Sequence, residues 1–209
     1  ILGMGNSDID EEFLKRNISQ INAKVQFIYL SMNFLPAALF LGNIAGAWKI
    51  PINYLVKIQV LITSLYIINY SIFRLFRKPN LSKYLGLFAC TTIISIIAAN
   101  GRVGIYISYG IFPFLASLYF SKRCTTIVSL YSWLAMLASL YIKSRLTKQC
   151  EPFTGEIYSP DLFFTRYSIG FTIEMLFTYL LAIMMTKQFH KSLVALIKNI
   201  DDANNMNIS

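Results

Sequence analysis

YLVKIQVLITSLYIINYSIF, residues Tyr54–Phe73, sets the architecture of this chain. It runs for 20 residues with a single charge, Lys57. A hydrocarbon core of ~30 Å needs about 20 helical residues to cross it. A surface helix of a water-soluble domain would keep a polar face, and this stretch has none. The same reading applies to Val25–Trp48, Tyr84–Asn100, Val103–Phe120, Cys124–Ile142 and Tyr167–Thr186. The expectation is an all-α, six-helix transmembrane bundle occupying 25–186, with a cytoplasmic amphipathic helix over 1–24 and a cytoplasmic helical extension over 187–209.

Composition agrees. Of the 209 residues 56% are hydrophobic and 14% charged, and the mean hydropathy is +0.53. A soluble domain carries about 25% charged residues. The net charge of +9 sits at the ends of apolar runs, where it suits anionic head groups and not a nucleic-acid groove. The lipid bilayer is therefore the expected partner, and nucleic acid is not.

Loop charge gives an orientation. Twelve Lys and Arg fall on the side of the termini and loops 2–3 and 4–5, against six on the other side. The positive-inside rule places both termini of a multi-pass membrane protein in the cytoplasm. Lys143, Arg145 and Lys148 weigh against that bias. The long outer loop Lys143–Arg166 is a candidate cap.

Four polar residues fall at one depth near the outer side: Asn43, Lys57, Arg102 and Glu174. A lone charge in hydrocarbon costs about 2.5–3.5 kcal/mol on insertion scales. Glu174 is thus expected to face the interior and pair with Lys57 or Arg102, either as a small-molecule or ion site or as a structural ion pair. Gly42 and Gly46 form a small-xxx-small pattern expected to let a second helix approach.

Catalytic residues are not expected. The chain has no P-loop, HExxH or GxSxG, so any catalysis would belong to a domain outside it. No cofactor is implied. Cys90, Cys124 and Cys150 are far apart and His190 is the one histidine, so no metal site is expected.

At the two ends, Asp8 and Glu11 make a capping box, and Leu14, Ile18, Ile21 and Val25 recur at 4-3-4 spacing. That helix either lies on the membrane or packs on the bundle. Phe189, Leu193, Leu196 and Ile200 repeat the spacing after the last span, either as the seam of a helix that would pair in a homodimer or as a short interfacial helix. Asp201–Asn205 reads as a linker toward an output domain.

This arrangement, with Asn100–Tyr106 and Tyr119–Arg123, resembles the N-terminal multi-span input regions of bacterial membrane signalling proteins, such as GGDEF diguanylate cyclases or sensor histidine kinases. The resemblance implies a sensory, signal-transmitting role without naming a ligand. The alternative is the substrate-binding membrane subunit of a vitamin-type transporter, whose small residues on the first helix would meet a partner membrane protein.

Overall fold

The computed structural model describes residues 6–47, 49–100, 108–146, 157 and 159–206. Its helices are α1 (Asn6–Met32), α2 (Leu35–Ile44), α3 (Ile52–Arg74), α4 (Pro79–Ala99), α5 (Ser108–Ser117), α6 (Lys122–Leu146) and α7 (Pro160–Met206). Among the described residues five helical stretches are long and apolar enough to cross a bilayer: Lys15–Ile44, Ile52–Arg74, Pro79–Ala99, Lys122–Leu146 and Pro160–Leu196. The expected span Val103–Phe120 enters the described residues only at Ser108, and α5 alone covers about 15 Å.

The first crossing is not one smooth helix. Pro36 has no amide to give back to the preceding turn, so the α-helical ladder cannot run through it. The amides of Asn33 and Phe34 instead reach back three residues, to Leu30 O and Ser31 O, both at 3.1 Å. Asn33 Nδ2 covers the carbonyls of Tyr29 and Leu30, each at 3.3 Å. Upstream of the break, α1 is continuous across residue 24. Ile21 and Val25 are buried in the bundle core and Ile18 packs against it.

α4 sits at the centre, against α1, α3, α5 and α6, while α7 lies on α5 and α6. The apolar core includes Tyr29, Ile62, Leu87, Ile93, Ile97 and Tyr109. Gly86 is the closest joint in it. A Cβ there would stand 3.0 Å from both Asn69 Nδ2 and Val25 Cγ1, so this glycine lets α1, α3 and α4 meet.

Association of helices in lipid draws on packing and interhelical hydrogen bonds, since burial of apolar surface from water is not available. α6 and α7 show this plainly. Trp133 Nε1 donates to Thr172 Oγ1 (3.0 Å), Thr126 and Tyr179 share a bond of 3.3 Å, and Thr125 and Thr186 one of 2.9 Å. At one end Arg145 pairs with Asp161 at 2.6 Å.

Candidate functional site

The four polar residues expected to share a site are placed as follows. Asn43 closes a loop: its Nδ2 donates to Ile50 O at 2.7 Å and its Oδ1 accepts from Ile50 N at 2.9 Å. Lys57 is exposed on α3, and Glu174 is exposed on α7 at the rim of a cleft of about 210 Å³ bordered by Gly110, Phe114 and Thr178. α3 packs on α1, α2 and α4, whereas α7 packs on α5 and α6. The chain therefore does not bring Lys57 and Glu174 together. Neither side chain has a hydrogen-bonding or ionic partner among the described residues. Arg102 lies outside the described residues, as do Cys150 and much of the expected outer loop Lys143–Arg166.

Gly46 has a role other than the one expected from its spacing. It is left-handed, with φ +76°, and a Cβ on it would meet nothing within 4 Å. Gly46 N donates to Asn43 O (3.1 Å) and Ala47 N to Gly42 O (3.0 Å). This is the 5→2 and 6→1 pair of a Schellman C-cap, so Gly46 ends α2 and does not pack a helix within the chain. Together with the Asn43 clamp it sets the path to α3. Replacing Asn43 with alanine removes both clamp bonds, and the expected loss is about 1–3 kcal/mol in denaturation of the purified protein, with Asn43→Gln recovering little because its longer arm overshoots.

Sequence reading missed a groove. α4 forms its floor with Thr92, Ser95 and Ala99; Tyr54 of α3 and Tyr131 and Ala135 of α6 stand along its walls. Its volume is about 680 Å³, within the range of small-molecule sites. The donor protons along it are already used. Tyr54 OH donates to Ile96 O (2.7 Å), Ser95 to Thr91 O (2.7 Å) and Thr92 to Phe88 O (2.9 Å), which leaves the Tyr131 OH to donate to Thr92 Oγ1 (2.7 Å). Phe88 packs against Tyr131 in a tilted pair, 4.4 Å between centroids. What the groove presents is thus an apolar surface with occupied hydroxyls. Its signal in the sequence is the run of small residues at one face of two helices, Ser95 and Ala99 with Ala135 and Ala138, which is common enough in spanning helices to pass unnoticed.

The opposite end of the bundle holds a joint between elements. Asn22 Nδ2 donates to Pro79 O (2.8 Å), and the Tyr119 hydroxyl donates to Asn22 Oδ1 (2.7 Å). Asn17 Nδ2 reaches Leu118 O at 3.3 Å. Phe120, left-handed at φ +54°, sets its ring edge-on to Phe189 of α7 at 6.1 Å. The turn after α5 thereby touches both α1 and α7. Of the expected seam, Phe189 is half-buried on this joint and Leu193 is buried, Leu196 is exposed, and the side chain of Ile200 lies outside the described residues.

No family model matches the chain, and no curated protein or solved structure matches it either. Its function is to be sought in the geometry of the helices. Among the described residues no group of three or more His, Cys, Asp or Glu could hold a metal ion.

Proposed function

We propose that the chain is a membrane-embedded sensory and signal-transmitting input domain of a bacterial signalling protein, of the diguanylate cyclase or histidine kinase type. The observation that carries this reading is α7. It is one helix of 47 residues, about 70 Å long, more than twice the hydrocarbon thickness of ~30 Å. It begins beside Arg145, runs along α6 through the bundle, and continues about 20 residues past Thr186, beyond the joint at Phe120. A rigid element that joins one side of a membrane to the other is what a transmitter requires. In this reading the end that holds the joint is cytoplasmic, in keeping with the loop charge, and both chain ends lie there. A ligand or lipid state that favours one packing of α6 on α7 would act only through different affinity for the two packings.

The test uses the full-length protein with its own output, or a reporter output fused after Ser209. One to four alanines are inserted after Leu196. Each inserted residue turns the rest of the helix by about 100° and moves it about 1.5 Å. Output is expected to change with one, two and three insertions and to return toward the starting level with four, which carries the helix about 40° past a full turn. Output indifferent to insertion length would overturn the reading. The groove of about 680 Å³ is the observation that favours the carrier alternative. Protein that retains a stoichiometric small molecule in the groove while its output ignores helix phase would be a carrier.

A further inference from the structure

Two charges face the lipid from opposite sides of this molecule, and the hydrogen bonds between helices place them at similar depths. Tyr54 of α3 is level with Ile96 of α4, through their bond of 2.7 Å. Lys57 is three residues below Tyr54, about 4.5 Å deeper. Thr92 is four residues below Ile96, about 6 Å deeper, and it is level with Tyr131 of α6 through a bond of 2.7 Å. Trp133, two residues back up α6, is level with Thr172 of α7 through a bond of 3.0 Å. Glu174 lies two residues below Thr172, which returns it to about 6 Å below Tyr54. Counted along the helices in this way, Lys57 and Glu174 fall at similar depths, about 4.5 and 6 Å below Tyr54.

Each is exposed, and neither has a hydrogen-bonding or ionic partner among the described residues. An isolated charge at membrane depth is costly and is seldom left facing lipid. Both costs fall if the two charges meet. Within one chain they cannot, because α4, α5 and α6 stand between α3 and α7.

We infer that the occupant of each face is a second copy of this chain, with Lys57 of one copy paired to Glu174 of the next, side by side in the same membrane orientation. The surface around Glu174 suits a helix. Gly170, one turn above it on α7, is exposed, and a Cβ there would meet nothing within 4 Å, so a neighbouring backbone can approach closely. The cleft of about 210 Å³ beside Glu174 gives the lysine stem room to enter. Val56 and Val60 beside Lys57, and Ile173 and Phe177 beside Glu174, are all more than half exposed and supply apolar contact around the pair. Because the two charges lie on opposite sides of one copy, a two-fold dimer cannot form both pairs at once. The contact is head-to-tail and builds a ring or a row. This inference is independent of the signalling role proposed above.

Charge reversal in mixed copies tests it. The full chain is prepared with two different affinity tags and reconstituted together into liposomes. A K57E copy carries two facing acids and an E174K copy two facing bases, so each is expected to lose self-association by at least about tenfold, as like charges in contact cost several kcal/mol. When K57E and E174K copies are mixed, opposite charges face each other again between unlike copies, and co-purification of the two tags is expected to recover toward the wild-type level. Damage to the fold would not be repaired by mixing, so the mixture separates a lost interface from a lost structure. A wild-type chain that is monomeric at every protein-to-lipid ratio would overturn the proposal. So would single variants that associate as wild type does, or a mixture that stays apart while both variants remain folded by circular dichroism.

Discussion

Gly86→Leu is expected to abolish the folded bundle, measured by loss of the monodisperse peak in detergent. The reason is local. A Cβ at Gly86 is 3.0 Å from Asn69 Nδ2 and from Val25 Cγ1, tighter than side-chain carbons ordinarily come to such atoms. Both neighbours are buried, although the Asn69 Nδ2 has no hydrogen-bond partner among the described residues. The Asn69 amide is held by the Ser82 hydroxyl, which donates to its Oδ1 at 3.1 Å, and Val25 is buried at 3% exposure on α1. Overpacking a tight core site costs about 1–3 kcal/mol for a small insertion. Alanine is expected to fall in that range, and leucine to force α1 or α3 off α4. Gly170→Ala is the control. It meets no atom within 4 Å, and unfolding of the monomer is expected to match wild type. Equal stability of the Gly86→Leu protein would show that α1, α3 and α4 do not meet as described.

Asn22→Leu is expected to cost roughly 2–6 kcal/mol, from two orphaned groups at about 1–3 kcal/mol each. Asn22 is 2% exposed and satisfies a carbonyl and a hydroxyl from separate turns, Pro79 O and Tyr119 OH. Leucine is close to it in size but leaves both without a partner in the interior. The pairing is checked by a double-mutant cycle with Tyr119→Phe, read by denaturation. Tyr119→Phe alone removes the donor to Asn22 and costs about 1 kcal/mol or more. In the Asn22→Leu background the same change removes a hydroxyl that is already unpaired, and its cost is expected to vanish or reverse sign. Strict additivity of the two would sink the assignment. The Lys83 ammonium lies 5.6 Å from the Tyr119 ring centre and 4.9 Å from that of Tyr84, so the ring itself remains useful in the phenylalanine variant.

The helices were legible because the requirement for about 20 apolar residues leaves a long, unambiguous trace. Runs such as Tyr54–Phe73 fall inside α3 with little error at either end. The interruption at Asn33–Phe34 had a signal in Pro36, but hydropathy does not fall there, so the apolar run reads straight through it. One glycine shows a different limit. Gly46 matches a packing spacing, yet the same residue is what a helix terminus needs for a positive φ, and spacing cannot tell these apart. The polar residues were harder still. Depth along a helix comes from counting residues, and that placed Lys57 and Glu174 at one level. Direction around the helix depends on which neighbours pack where, and Lys57 and Glu174 point outward on opposite flanks. The long-range bonds Tyr119–Asn22 and Trp133–Thr172 join residues 97 and 39 positions apart, a pairing that no local pattern announces.

The length of α7 makes it a lever held at Thr186 by the hydroxyl bond to Thr125, at Phe189 by the ring of Phe120, and at the buried Leu193. Beyond Leu193 its arm of about 13 residues is about 20 Å long, so a swing of about 5° carries the tip roughly 2 Å sideways. Adjustments too slight to disturb side-chain packing in the lipid therefore arrive at the far end magnified to the width of an atom.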